Sequence, residues 1–274
     1  MALAVRRVLP DVARAVDAIV VSLARGGRLF YVGAGTGGRL AAQDAAECPP
    51  TFGISPKTVQ AIVAGGDRAL RHPAEEAEDS APDGARDLKR AGVSRHDVVV
   101  GLSASGRTPY VLGALRAARR CGAITVGVAS ISNSPLARES RIAIAPDTGA
   151  EAISGSTRLK AGTAQKMALN MLSTAAMVRL GRTYGNWMVH VALTNRKLRQ
   201  RAARILEEAT GVNTSVATRT LRQARHDLPI AIVMLKAGTT TNQARQLLEE
   251  SCGNVRRVLE LAKSRRKAGS QQGK

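Results

Sequence analysis

Residues 28–40 read RLFYVGAGTGGRL. Arg28 to Val32 is a short β-rich run, and it meets the loop Gly33-Ala34-Gly35-Thr36-Gly37-Gly38. A helical pattern follows from about Arg39 to Glu47, with Pro49-Pro50 as its expected stop. Strand, glycine loop, helix is the opening unit of a wound α/β sheet, and the flanks repeat it. Residues 3–24 carry apolar positions at helical spacing and end at Gly26-Gly27. TVQAIVA (58–64) reads as a second strand, and residues 74–91 as one helix with acids early. DVVVGL (97–102) is a continuous apolar strand, followed by Ser103-Ala104-Ser105-Gly106-Arg107-Thr108 and a helix from Pro109 to about Arg120. ITVGVA (124–129) and IAIA (142–145) are two further strands. Strands alternating with helices, without tight hairpin turns, imply a parallel sheet covered on both faces.

The rest of the chain reads differently. A long helical pattern runs from Gly162 to about Leu180, and another stretch covers Trp187 to Leu193. Residues 196–262 read as several short helices, with IAIVML (230–235) the one strand-like run among them. Residues 263–274 are rich in Gly, Ser, Gln and bases, the composition of a disordered tail.

Composition narrows the function. The 274 residues are 44% hydrophobic and 2% aromatic, with 41 Lys and Arg against 21 Asp and Glu, a net charge of +20. That apolar share supports a folded core, and no apolar run reaches the length of a transmembrane helix. The N-terminus lacks a signal-peptide core. The three scattered cysteines, Cys48, Cys121 and Cys252, form no C-x-x-C and suit a reducing cytoplasm. A charge of +20 invites a polyanion, but six aromatics offer little for base stacking and argue against nucleic acid. His72, His96, His190 and His226 form no metal spacing. Cys48 reads as a small packing residue, since no histidine lies near it in sequence.

The first loop matches G-x-G-x-x-G through Gly33, Gly35 and Gly38, yet no acid closes the second strand as a dinucleotide ribose would need. Asp67, the nearest, lies beyond a Gly-Gly turn. Two small-residue loops at strand ends, each opening a helix, instead suit one compact anion. Ser103, Ser105 and Thr108 supply hydroxyls to it. A third segment, Ser154 to Thr163, adds hydroxyls, Arg158 and Lys160, with Lys160 a point charge for a phosphate.

Four segments carry a family resemblance: YVGAGTGGRLAAQDAAECPPTFG (31–53), GLSASGRTPYVLGAL (101–115), GSTRLKAGTAQKMALNMLSTAAMVRLG (155–181) and YGNWMVHVALTNRKL (184–198). They resemble the N-acetylmuramic acid 6-phosphate etherases of the sugar isomerase (SIS) superfamily, and the likeness spans nearly the whole chain. It implies an α/β fold, a parallel-sheet SIS domain flanked by helices over residues 1–195, with a small C-terminal helical (UBA-like) bundle over 196–262 and the basic tail beyond it. It implies a homodimer, no metal or organic cofactor, and a small phosphorylated sugar as ligand; the cytoplasm and the lack of a membrane partner are expected from the cysteines and the apolar runs above.

The reaction so implied cleaves the D-lactyl ether at C3 of N-acetylmuramic acid 6-phosphate by elimination and hydration, in the recycling of cell-wall amino sugars. The resemblance makes Glu47 the proton donor and Glu78 the base at C2. It places Gly35, Thr36, Gly37, Gly38, Arg39, Ser103, Ser105, Gly106, Thr108, Ser156 and Lys160 around the phosphate. Read without it, Glu47 ends a helix, where the dipole disfavours an anion, and Glu78 lies in an acidic run with Glu75, Glu76 and Asp79. The sequence departs from the family pattern in three ways. Gly37 stands where a serine is usual, removing a hydroxyl. The family carries several dozen residues before the segment matching Leu3 to Pro10. The balance is unusually basic, and residues 196–274 hold 17 Lys and Arg against 6 Asp and Glu, a net +11. The competing reading is a non-catalytic sugar-phosphate sensor of the same fold, of which the glucokinase regulatory protein is the example.

Overall fold

Five short strands form one all-parallel sheet in the order β2-β1-β3-β4-β5. They are β1 (Leu29–Gly33), β2 (Val59–Val63), β3 (Val98–Leu102), β4 (Ile124–Val128) and β5 (Ile142–Ile144). The computed structural model describes residues 1–191 and 196–271. The chain divides into two compact units, Met1–Pro49 with Ile54–Ala176, and Pro50–Gly53 with Met177–Lys274.

In the first unit every residue of β1 and β3 is buried, as a central strand with both faces covered requires. Phe30, Val32 and Val99 face a core shared with α4 (Ala81–Arg90), α5 (Pro109–Arg120) and α6 (Pro135–Glu139). Tyr31 points the opposite way, by the period of two along a strand. Its hydroxyl donates to Asp44 Oδ2 at 3.0 Å, on α3 (Gly35–Phe52). Asp44 Oδ1 accepts from Asn170 Nδ2 at 2.7 Å and Ser173 Oγ at 3.2 Å, both on α7 (Lys160–Arg179). This buried carboxylate ties a strand and two helices together, and hydrogen bonds of this charge-assisted kind contribute about 1.5–3 kcal/mol each.

Local chemistry moves several boundaries. Residues 3–24 form two helices, α1 (Ala2–Arg7) and α2 (Leu9–Ala24), because Pro10 suits only the first turn of a new helix. The run 74–91 is a 3-10 turn, Glu75–Glu78, followed by α4, whose start is set by the Ser80 hydroxyl accepting from Asp83 N at 3.3 Å and by Pro82. α3 continues through Pro49-Pro50 to Phe52; the two prolines fall in its last turn, and Gly53 at φ +61° ends it.

The second unit is helical: α8 (Arg196–Thr210), α9 (Thr214–Gln223), α10 (Leu228–Ala237), α11 (Thr241–Glu250) and α12 (Val255–Gln271). IAIVML forms the middle of α10, the most buried helix of this core, and not a strand. Asp227 Oδ1 accepts from Ile230 N at 3.0 Å to start α10, and Gly238 at φ +63° stops it. α12 carries helix beyond Ala262, through most of the segment whose composition reads as a tail; residues 272–274 lie outside the described residues, as do 192–195, which take in the end of the stretch read from Trp187 to Leu193.

Candidate functional site

The strand order reverses between β1 and β3, since β2 follows β1 on one side and the later strands on the other. In a parallel sheet the crevice beyond the strand C-termini at such a reversal is where ligands bind. The glycine loop leaves β1 there, and the serine loop leaves β3 beside it.

Close packing shapes the first loop. A Cβ on Gly33 would lie 2.7 Å from Gly38 N, and one on Gly38 would lie 2.7 Å from Val63 Cγ1, so α3 approaches the sheet as only glycines allow. Gly38 N donates to Ala34 O at 3.0 Å and starts the helical ladder. The N–H groups of Gly35, Thr36 and Gly37 therefore open the first turn, where the helix's own carbonyls cannot reach them. The serine loop closes on itself: Ser103 Oγ is 2.8 Å from Thr108 Oγ1 and 3.5 Å from Ser105 Oγ. α5 begins at Pro109, immediately after Thr108. Two helix N-termini and three hydroxyls thus meet at one point, an arrangement that favours an anion.

The cavity between the loops measures about 140 Å³. Whole-ligand pockets begin at about 300 Å³, so this one suits a single group of a larger molecule. It is lined by Gly35, Thr36, Gly37, Ser103, Ser105 and Thr108, all drawn from the sequence pattern, and also by Glu78, Thr157 and Gln165. Among the described residues no lysine or arginine lines it.

Glu78 is held against the glycine loop. A Cβ on Gly35, whose φ is +50°, would lie 2.8 Å from Glu78 Oε1. Burial raises the Glu78 carboxyl above its usual range, the charges of Asp79 and Glu75 raise it further, and Arg39 opposes them. A carboxylate so raised is a stronger base than an exposed one. In a carboxyl-carbon NMR titration, Glu78 is expected to protonate above the ordinary 4.5. Asp79→Asn should bring that midpoint down and Arg39→Met should carry it up; a wild-type midpoint at or below 4.5 contradicts the burial argument.

The remaining residues drawn from the sequence lie elsewhere. Gly38 packs against Val63. Arg39 donates through Nε to Ala69 O at 3.0 Å and through Nη2 to His72 O at 3.2 Å, bracing the loop before Glu78. Gly106, at φ +65°, turns the serine loop where a Cβ would collide with Ser134 at 2.3 Å. Ser156 sits in a turn, its N–H donating to Ile153 O at 3.0 Å. Lys160 Nζ donates to Ala150 O at 2.5 Å, and the backbone N–H groups of Lys160 and Ala161 donate to Glu151, whose carboxylate caps α7. Glu47 is exposed on α3 and accepts from Gln43 Nε2 at 3.3 Å. It follows Gly35 by twelve residues, about 18 Å along the helix axis, and does not line the cavity. Burial and the nearby Asp44 push the Cys48 thiol up to about 12, which keeps it protonated and unreactive. Among the described residues no group of His, Cys, Asp and Glu is arranged to hold a metal ion, and no helix is long and apolar enough to cross a membrane.

Gln165 is the lining residue that motif reading missed, and Thr157 is the hydroxyl that the third segment brings to the cavity. A signal for Gln165 existed: it shares the buried face of α7 with Ala161, Ala164, Ala168 and Leu172, a polar residue at an apolar position. It also bears on Gly37. A Cβ there would lie 3.3 Å from both Gln165 Oε1 and Leu102 Cβ, so the place of the missing serine is crowded by the Gln165 amide.

The chain is similar to several known proteins. The profile of the glucokinase regulatory protein N-terminal SIS domain matches residues 11–119, and that of the SIS domain matches residues 75–175. The chain is 52% identical over 256 residues to the N-acetylmuramic acid 6-phosphate etherase of Yersinia pestis (strain Pestoides F), covering 93% of this chain and 87% of that protein. It is 50% identical over 255 residues to the etherase of the same name from Glaesserella parasuis serovar 5 (strain SH0165), covering 93% and 84%. A crystal structure of a putative phosphosugar isomerase involved in capsule formation from Bacteroides fragilis NCTC 9343 covers 64% of this chain and 86% of its own, at 22% identity and a TM-score of 0.49.

Proposed function

The chain belongs to the N-acetylmuramic acid 6-phosphate etherase family, and from that premise we propose how its site works: it cleaves the D-lactyl ether of N-acetylmuramic acid 6-phosphate to give N-acetylglucosamine 6-phosphate and D-lactate. The observation that carries this is the raised carboxyl of Glu78 against Gly35, at the mouth of a cavity sized for one anionic group. The phosphate occupies the cavity, held by the N–H groups of the first turn of α3 and the hydroxyls of Ser103, Ser105 and Thr108. The sugar, in its open aldehyde form, extends outward past Glu78. Glu78 takes the proton from C2, which the C1 carbonyl acidifies. The C3–O bond breaks as the lactate oxygen receives a proton from Glu47. Water then adds to C3 of the resulting alkene and a proton returns to C2. Both steps are proton transfers to and from positioned carboxyls, with the phosphate anchor keeping the sugar in place between them.

Glu47 performs this role from a second copy of the chain. About 18 Å of helix separates it from Gly35, and acid and base must both reach adjacent carbons of one sugar. A two-fold dimer that brings the C-terminal part of one α3 to the cavity of the other meets that requirement. The same dimer accounts for the exposure of Glu47 in a single chain. A cytoplasmic location agrees with the free thiols of Cys48, Cys121 and Cys252. The basic surface steers the anionic sugar toward the site, an attraction that salt weakens.

Incubating the purified chain with N-acetylmuramic acid 6-phosphate in deuterated water tests the proposal. D-lactate and N-acetylglucosamine 6-phosphate deuterated at C2 are the expected products. Tight binding of the sugar phosphate without lactate release would replace the etherase by a sensor, the reading that the match to the glucokinase regulatory protein domain keeps in view.

A further inference from the structure

Gln165 is 3% exposed, yet its Nε2 has no hydrogen-bond partner among the described residues. A buried amide nitrogen left unpaired is costly, and such a cost in a native fold calls for an explanation. The side chain lines the cavity between the glycine and serine loops, with Oε1 on the Gly37 side. Every other polar group at that point is also neutral except Glu78: backbone N–H groups and the hydroxyls of Thr36, Ser103, Ser105, Thr108 and Thr157. Of the cations that the sequence offered, Arg39 and Lys160 are bound to backbone carbonyls instead, and Arg158 is not among the lining residues.

We propose that Gln165 is a phosphate-binding residue whose side-chain amide donates to the phosphoryl group, and that the cavity reads this group with neutral donors. The inference rests on the etherase reading and adds to it a reason for the residue type. A lysine or arginine in the cavity would bind the phosphate more strongly, but its charge would also stabilise the Glu78 carboxylate and weaken it as a base. An amide supplies a hydrogen bond to a charged oxygen without that side effect. It also supplies a donor beside Gly37, where a side-chain hydroxyl is absent.

Three proteins test this: the wild type, Gln165→Leu, which keeps the bulk and removes the donor, and Gln165→Lys. Dissociation constants for inorganic phosphate and for N-acetylglucosamine 6-phosphate are measured by NMR titration, with thermal melting alongside. Gln165→Leu is expected to bind both about tenfold to a hundredfold more weakly and to melt no lower than wild type, since it removes an unpaired buried group. Gln165→Lys is expected to bind at least as tightly as wild type, with the Glu78 titration moved to lower pH and kcat reduced. If Gln165→Leu binds inorganic phosphate within about twofold of wild type, or if wild type binds neither ligand, the assignment of Gln165 falls. If wild type binds inorganic phosphate through Gln165 but not the sugar phosphate, the assignment of Gln165 stands and the etherase reading fails.

Discussion

Glu78→Gln is expected to abolish exchange of the C2 proton with solvent and, with it, release of D-lactate. A positioned general base contributes about 10²–10⁴-fold to a rate, and the proposed chemistry begins with this proton, so nothing later proceeds without it. The loss belongs in kcat. Glutamine keeps the shape of the side chain against Gly35, and removing a negative charge next to the phosphate cavity leaves KM unchanged or lower. Glu47→Gln should separate the two steps: the C2 proton still exchanges, because the base is intact, while lactate leaves slowly, because its oxygen must depart unprotonated. The same loss of exchange in both variants would dissolve the division into acid and base. Full exchange in Glu78→Gln would remove Glu78 from the chemistry altogether. The acid limb of kcat should also follow the Glu78 carboxyl. That carboxyl is raised, so activity falls as pH drops through a midpoint above the usual carboxylate range, and Asp79→Asn should extend activity to lower pH.

What could be read from residues 28–40, and what could not, has a physical basis. β1 and the passage from strand through glycines to helix show themselves locally, since a strand period, a glycine cluster and a helical period follow one another within a few residues, but α3 starts at Gly35, inside the run read as a loop and four residues before Arg39. The parallel order is legible for the same reason in 97–115. α10 is hidden because a helix buried all round has no amphipathic period, and six apolar residues look the same in either state. Its true signals are at its ends, Asp227 with Pro229 and then Gly238, and those belong to a helix. The prolines at 49 and 50 signal an ending correctly but two residues early.

At the site, hydroxyls and glycines were legible because loops between a strand and a helix leave few roles for them. Long cations were not. Arg39 and Lys160 have the charge for a phosphate, but each reaches a backbone carbonyl first, and only the fold reveals which. Glu78 read alone is one acid in a surface run; its place beside Gly35 arises because the 3-10 turn Glu75–Glu78 is folded back over the glycine loop. Gln165 was visible only as a polar residue that violated an apolar pattern, a violation of the kind expected at functional sites.

Mixing two inactive proteins should restore activity. The argument starts from α3, which carries Gly35 at its first turn and Glu47 twelve residues later, so that one rigid helix holds them about 18 Å apart. Glu78 is fixed against Gly35. A glutamate side chain spans only a small part of that distance, so Glu47 and Glu78 of one chain cannot both reach C2 and C3 of one sugar. In a two-fold dimer, each site pairs Glu78 of one copy with Glu47 of the other. A dimer of Glu47→Gln alone has two defective sites, and so has a dimer of Glu78→Gln. A mixed dimer is different: the Glu47→Gln chain still supplies Glu78, the Glu78→Gln chain still supplies Glu47, and these two meet in one intact site. The other site then carries both substitutions. After unfolding and refolding an equimolar mixture, half of the dimers are mixed, each with one of two sites intact, so lactate release should return to about a quarter of wild type. Each protein refolded alone controls for recovery. Against a residual rate of about 10⁻²–10⁻⁴ for each variant, a return to that level is a large signal. A mixture that stays at the sum of its inactive parts, while forming mixed dimers by differential tagging, would show that acid and base belong to one chain and that α3 does not hold them as far apart in solution.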